Sequence, residues 1–191
     1  MHYFVRANGD TAHNDPSRRS CFVPGEPPLY PQTYFNYVRF CLEHGIARLG
    51  HPDTGDLTGR PKQGALAECY DLETVRPYVR RNLETFRNIE VGDVILMPEP
   101  GEGILFAGDV VKPYHYFHRV PTDPYECAHR LGVRWDVTAD SNPVNYTAVE
   151  LGISRPRGFW RRGFQVIENT RAGAEIVQRL QRLRETRSKG S

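Results

Sequence analysis

Residues 105–135, LFAGDVVKPYHYFHRVPTDPYECAHRLGVRW, carry the pattern that decides the fold. The runs LFAGDVV and HRLGVRW are rich in β-branched and aromatic residues, so each is predicted to form a strand. Between them, five aromatic or imidazole side chains crowd the exit of the first strand: Tyr114, His115, Tyr116, Phe117 and His118. Such a crowd is compatible with a hydrophobic core, a metal site or a pocket for a flat ligand.

Further strands are predicted on the N-terminal side of this stretch. IEVGDVILMP and GILFAGDVV indicate two strands joined by EPGEG, and HYFVRAN near the N-terminus indicates another. The apolar positions of TYFNYVRFCLEHG predict a helix closed by Gly45, although a strand entry bent at Gly45 is also compatible with them. Residues 71–88 predict a second helix.

The C-terminal part adds helical patterns to these strands. NPVNYTAVELGIS predicts a short helix ending near Gly152, and GFWRRGFQVI a strand interrupted by Gly163. Residues 171–187 predict a basic helix with four inward apolar side chains: Ile176, Val177, Leu180 and Leu183. The pattern as a whole predicts one α+β domain over residues 1–191, built round a small curved sheet or barrel with flanking helices.

The charge is distributed unevenly along the chain. Residues 151–191 hold ten Lys and Arg against three Glu, whereas residues 1–150 hold fifteen against twenty Asp and Glu. A basic end on a near-neutral body suggests a polyanionic partner, and a solvated helix face is the simpler alternative.

Several classes of location and chemistry are disfavoured. No apolar run approaches 18 residues, the N-terminus lacks a secretory core, and the four cysteines are widely spaced, which together predict a cytoplasmic protein without a membrane partner. The chain has three lysines, and none has an acidic residue two positions before it, so the acidic-x-Lys motif of metal-dependent nucleases is absent. No glycine-rich phosphate loop is present.

Zinc binding is the one metal hypothesis that the residue types allow. His115, His118, Cys127 and His129 form an H-x2-H-x8-C-x-H string. Its spacing matches no standard zinc ligand set, so neither a metal nor another cofactor is predicted.

The remaining interpretation is a pocket for a nucleobase, because flipped bases are held by stacking on aromatic faces while arginines bind phosphates. The aromatic candidates are Tyr114, Tyr116, Phe117, Trp135, Phe159 and Trp160. The cationic candidates are Arg130, Arg134, Arg155, Arg157, Arg161 and Arg162. Strand alternation puts Tyr114 and Tyr116 on one face and His115 and Phe117 on the other, so only some of the rings can share a pocket. Core packing is the alternative role for all of them.

The serial order of three motifs resembles the PUA-like superfamily in its EVE, YTH and ASCH relatives. These motifs are IARLGHPDTGDL, LETFRNIEVGDVILMP and GILFAGDVVKPYHYFHRVPTDPYECAHRLGVRW, which together span roughly residues 46–136. The resemblance is greatest to the domains found beside prokaryotic modification-dependent restriction enzymes.

This resemblance implies a PUA-like β-barrel that reads a modified or flipped base rather than catalysing a reaction. It implies that Gly45, Ile46 and Gly50 shape the pocket-side turn, that Gly92 and Asp93 make a barrel turn, and that Tyr114, Tyr116 and Trp135 box the base. Relatives often carry Trp where this chain has His51, so one wall of the pocket would be imidazole. The implied partner is nucleic acid, with DNA favoured over RNA, and any effector ATPase or nuclease would be a separate chain.

Two other functions stay open from the sequence. One is a hydrolase or RNA-processing enzyme that uses His115, His118 or His129 with Asp93 or Asp109. The other is an adaptor whose C-terminal helix grips a partner protein through Ile176, Val177, Leu180 and Leu183. A binding module without catalytic residues is the function we expect.

Overall fold

A computed structural model describes residues 1–5, 37–49, 56–58, 77–99, 103–117, 129–153, 164–167 and 170–189. Within them the strands are β1 His2–Val5, β2 Ile46–Leu49, β3 Val94–Glu99, β4 Ile104–Tyr116, β5 His129–Trp135, β6 Tyr146–Thr147 and β7 Phe164–Val166. The helices are α1 Tyr37–Glu43, α2 Pro77–Arg87 and α3 Arg171–Lys189. The predicted α+β class is confirmed. Among these residues, no helix has the length and apolar character needed to cross a membrane.

The strands form one mixed sheet in the order β2-β5-β4-β3-β1-β7, with β6 paired to β4. β1 runs parallel to β3, and the other pairs are antiparallel. β1 also contacts β2, although three strands separate them in the sheet, so the sheet is strongly curled. No pairing joins the outer strands β2 and β7 in the described part of the chain. The sheet is therefore open as described, and a closed barrel stays a prediction.

Alternation along the strands builds a core on each face of the sheet. On the inner face, Tyr3, Ile95, Phe106 and Val133 pack with α1 and α2, whose buried residues are Tyr37, Val38, Cys41, Leu83 and Phe86. On the outer face, the intervening residues Phe4, Leu96 and Ala107 pack with the segment around Tyr146 and with α3. Helices thus cover both faces, and both faces of the central strands are apolar.

Helix α3 is a structural part of the outer core. Ile176, Val177 and Leu180 are at most 8% exposed, and Leu183 packs against them. The inward face predicted for this helix is confirmed, so the adaptor hypothesis, which needs these side chains for a partner protein, is wrong on this point. Thr170 caps the helix, because its Oγ1 accepts a hydrogen bond from the Gly173 amide at 3.0 Å.

Two local predictions need correction. NPVNYTAVELGIS forms the short strand β6 and a turn rather than a helix, because Tyr146 and Thr147 pair with β4 and the Glu150 carboxylate caps the Thr147 amide at 2.8 Å. β4 does not end before the aromatic crowd but continues to Tyr116, with register shifts between Val110 and His115. Three of the five crowded side chains therefore lie inside the strand. The residues from His118 to Ala128 are outside the described part.

The choice left open at Gly45 is resolved in favour of the helix. α1 ends at Glu43, Gly45 adopts a φ of 60°, and β2 starts at Ile46. Left-handed backbone of this kind favours glycine because a Cβ would be strained there.

Candidate nucleic-acid interface

Tyr114 and Tyr116 converge on a single histidine at the end of β4. Tyr114 Oη lies 2.8 Å from His129 Nδ1, and the two rings stack at 5.9 Å between centroids. Tyr116 is paired with His129 in register and meets its ring edge-on at 5.3 Å. His129 is completely buried, whereas both tyrosines are partly exposed. We call these three residues the tyrosine–histidine cluster.

Tyr114 also joins this cluster to the short segment Asp56–Thr58. The Leu57 amide donates a hydrogen bond to Tyr114 Oη at 3.4 Å, and Leu57 is itself buried in the inner core. Burial raises the pKa of the Tyr114 phenol to about 12. The hydroxyl therefore stays protonated well above neutral pH.

Two buried arginines lie on the opposite side of the strands at the same end of the sheet. Arg48 of β2 and Arg130 of β5 are direct cross-strand partners and are 1% and 5% exposed. The Arg48 guanidinium lies 4.0 Å from the centre of the Tyr37 ring, and that of Arg130 lies 4.0 Å from the Phe117 ring. Like charges in this position repel one another, and aromatic faces attract cations. We call these two residues the arginine pair.

Arg130 lies between two aromatic rings. Phe40 of α1 lies on its other flank, with the guanidinium 5.8 Å from the ring centre. Arg130 is 5% exposed, so the structure places it within the fold, and phosphate binding by this residue stays a prediction. Its guanidinium lies under the ring of Phe117, which is 37% exposed.

Trp135 lies at the other end of β5, six residues from His129, which corresponds to about 20 Å along a strand. Its indole is 7% exposed, and Nε1 donates a hydrogen bond to the carbonyl oxygen of Cys41 at 3.0 Å. Trp135 thereby anchors α1 to the inner core. The structure does not bring it together with Tyr114 and Tyr116.

The remaining predicted site residues divide into two groups. Arg134 is 74% exposed on the outer face, and its Nη2 is 3.3 Å from the Asp109 carboxylate. Six others lie outside the described residues: His51, Arg155, Arg157, Trp160, Arg161 and Arg162.

A groove of about 920 Å³ opens on the outer face between the end of β5, the segment 137–146 and α3. Three of the residues that line it form ion pairs: Arg184 of α3 contacts the Asp136 carboxylate through two nitrogens, and its Nη1 lies 3.0 Å from the Asp109 carboxylate. Tyr146 donates a hydrogen bond to Asp136 at 2.7 Å. Burial, and then this bond to a carboxylate, raise the pKa of the Tyr146 phenol above its usual range. We call these four residues the ion-pair network.

The groove rim uses a second arginine of α3. Arg187 pairs with Glu150 at 3.0 Å, donates to the carbonyl oxygen of Asn145 at 3.1 Å and lies over the Tyr146 ring. Two cations of the basic helix are thus engaged in holding the helix to the domain. The sequence suggested that the basic C-terminus either is a solvated helix face or binds a polyanion. Neither interpretation included attachment of the helix to the domain.

The catalytic sets considered from the sequence are not assembled in the described residues. Asp109 pairs in register with Arg134, five residues from His129 on β5, which places it about 17 Å from that histidine. Asp93 caps the turn before β3 by accepting a hydrogen bond from the Glu90 amide at 2.9 Å. Across the described residues, no group of three or more His, Cys, Asp or Glu is arranged to hold a metal ion.

Sequence reasoning did not identify the ion-pair network or the buried state of Arg48. Asp136 and Arg184 are 48 residues apart and meet only because α3 packs on the outer face. Arg48 is the one charged residue in the otherwise apolar strand IARL, and this position was the sequence feature that could have indicated its burial.

The comparisons with known proteins identify a family without naming an activity. A family model described as "Domain of unknown function (DUF8426)" matches residues 34–153, which are 120 of the 191 residues. The match includes the tyrosine–histidine cluster and the arginine pair, but not β1, β7 or α3. No curated protein and no solved structure matches the chain.

Proposed function

The chain belongs to the DUF8426 family, whose description names no function, and we propose that it is a nucleic-acid-binding module that houses a modified or flipped base beside Tyr114 and Tyr116. The proposal includes a PUA-like barrel as its finer fold, supported by the curl that brings β1 to β2. DNA is the favoured ligand, and an effector ATPase or nuclease would be a separate chain.

The observation that carries this proposal is the convergence of two partly exposed tyrosine rings on one buried histidine. Rings that only filled the core would be buried, as Phe106 and Tyr146 are. A partly exposed ring has surface that a ligand can contact. Stacking on such a face contributes about 1–3 kcal/mol per base, which offsets the few kcal/mol needed to unstack the base.

Charge at the same end of the sheet supports the same ligand. The arginine pair places two cationic side chains on β2 and β5, on the face of the strands opposite the cluster. Phe117, 37% exposed, covers one of these charges with its ring. Phe117 thereby adds an exposed aromatic ring at this end of the sheet, and aromatic rings are the surfaces on which bases stack.

The test is binding of labelled oligonucleotides of one sequence, with and without a methylated cytosine or adenine, in duplex and single-stranded form. We expect Tyr116→Ala to weaken binding by about 1–3 kcal/mol, as the loss of one stacking contact predicts. Val149→Ala, which changes an 84% exposed side chain elsewhere, is the matched control and should bind like the unaltered protein. Absence of binding to every oligonucleotide, or equal affinity in Tyr116→Ala, would overturn the proposal.

A further inference from the structure

An exposed row of cations runs along the outer face of β5, beginning with Lys112 and Arg134. Lys112 of β4 pairs in register with Gly132, and Arg134 lies two residues further along β5 on the same face. Both side chains are exposed, Arg134 at 74%. The arginine pair continues the row at its buried end, since Arg130 lies two residues from Gly132 in the other direction.

Gly132 makes room for this arrangement. A Cβ atom at position 132 would lie 2.7 Å from Lys112 Cβ, 3.0 Å from Cγ and 3.3 Å from Cδ. The aliphatic stem of Lys112 therefore lies flat across the backbone of Gly132. A glycine here is needed for close approach and not for an unusual backbone angle, because its φ is not positive.

Asp109 is the acidic residue next to this row, and its ion pair with Arg134 is weak enough to be replaced by a phosphate contact. Asp109 pairs with Arg134 at 3.3 Å while also accepting from Arg184 at 3.0 Å. Exposed ion pairs contribute little to stability, so Arg134 can exchange this contact for a phosphate at little cost. Asp109 keeps its bond to Arg184 when that exchange occurs.

We propose that Lys112 and Arg134 bind the phosphodiester backbone of a nucleic-acid strand lying along β5, and that Gly132 positions Lys112 for this contact. The inference rests on the proposed function and adds the path of the backbone to it. From Gly132, across which Lys112 lies, to Arg134 the contacts span about 7 Å, the axial rise of about two phosphates on one strand of B-form DNA.

The experiment measures oligonucleotide affinity across a series of salt concentrations for single and double variants. The slope of log K against log salt is negative, and each lost phosphate contact reduces its magnitude by about 0.9 for duplex DNA and about 0.7 for a single strand. Lys112→Ala and Arg134→Ala should each show this decrease. A fourfold rise in salt would then weaken each variant about 2.6-fold (single strand) to 3.5-fold (duplex) less than the unaltered protein. Arg81→Ala is the control, since Arg81 is exposed on α2, which packs through Leu83 and Phe86 on the inner face.

Gly132→Ala separates positioning from simple charge. If Gly132 acts through Lys112, Gly132→Ala should lower the slope like Lys112→Ala, and the double variant should show no further decrease. Urea unfolding of each variant establishes that it is folded at the assay temperature. If Gly132→Ala proves unfolded, Lys112→Gln and Arg134→Gln still decide the row itself.

The outcomes distinguish the two proposals. Tight binding with unchanged slopes in Lys112→Ala and Arg134→Ala overturns the backbone path and leaves the base pocket standing. Slopes that decrease equally in Arg81→Ala also overturn it, because the effect is then one of net charge. Absence of any oligonucleotide binding by the unaltered protein overturns the proposed function itself.

Discussion

The guanidinium of Arg184 forms a bidentate ion pair with the carboxylate of Asp136, with Nε 2.7 Å from Oδ2 and Nη2 2.8 Å from Oδ1. This two-pronged contact joins the C-terminal half of α3 to the residue that follows β5. The helix is basic by sequence, yet this arginine serves attachment. Bidentate pairs of this kind are geometrically demanding and stronger than single contacts.

Arg184→Ala should destabilise the fold by about 1–3 kcal/mol, between the values typical of exposed and fully buried pairs. The loss leaves Asp136 and Asp109, which are 19% and 34% exposed, without this cation. Urea denaturation measures the change. Arg182→Ala removes an exposed arginine from the same helix and should change stability by less than about 0.5 kcal/mol. Equal losses in the two variants would contradict the role of the ion-pair network.

Tyr114 should make the fold sensitive to alkaline pH. Its pKa is raised to about 12 by burial, against about 10 in an unfolded chain. Since the folded pKa is the higher one, the stabilising contribution is complete below about pH 10 and is lost as the pH rises towards 12. Tyr114→Phe should be less stable than the unaltered protein at pH 7, because the contact to His129 is lost, and this deficit should shrink between pH 10 and 12.

The measurement for Tyr114 is the free energy of unfolding of both proteins at several pH values. Tyr146 also has a raised pKa, but it is present in both proteins, so its contribution cancels in the difference. A deficit that stays constant from pH 7 to pH 12 would show that Tyr114 does not titrate with a raised pKa.

Gly173→Ala should destabilise the protein by at least about 3 kcal/mol, although alanine favours helices by about 1 kcal/mol over glycine. A Cβ atom at this position would overlap the backbone oxygen of Ile167, so α3 would have to move away from the strand end. Gly92→Ala is the comparison: its φ is 93°, but nothing lies within 4 Å of the added carbon. Strain alone should cost that variant about 1–2 kcal/mol. Thermal and urea unfolding rank the two, and the reverse ranking would contradict the packing of α3.

Substitution of Trp135 should mainly lower stability, whereas substitution of Tyr116 should mainly lower oligonucleotide affinity. Trp135→Phe loses the bond to the Cys41 carbonyl and leaves a cavity, so we expect it to lower stability by about 1–3 kcal/mol with little change in oligonucleotide affinity. Tyr116→Ala should lower affinity with a smaller effect on stability, since the side chain is partly exposed. Both proteins are compared at a temperature where each is folded. A large loss of affinity in Trp135→Phe would return the tryptophan to the base pocket.

Much of the element pattern could be predicted from periodicity. The strand β5 and the inward face of α3 follow from alternation and helical spacing, because each is a local consequence of which side chains must be buried. The segment around Tyr146 was predicted to be helical because its apolar residues also suit that spacing. Its pairing with β4 is a non-local contact that overrides the local preference.

The candidate site shows the same division. Alternation by itself separated Tyr114 and Tyr116 from His115 and Phe117, and the described contacts agree, with the tyrosines at His129 and Phe117 at Arg130. It did not predict that Trp135 would be a core anchor, since a strand position states only which face a residue occupies. Burial depends on what covers that face, here α1.

The sequence by itself determined where most of the strands and helices form, which residues alternate between faces and that the C-terminal helix is basic. Only the tertiary structure decided that two tyrosines meet at one buried histidine, that Arg48 and Arg130 are cross-strand partners, and that Arg184 is engaged by two carboxylates. The physical reason is that these contacts depend on strand register, on the irregularities of β4 and on the packing of α3. Each of these is selected by the free energy of the whole fold, while sequence patterns report local burial.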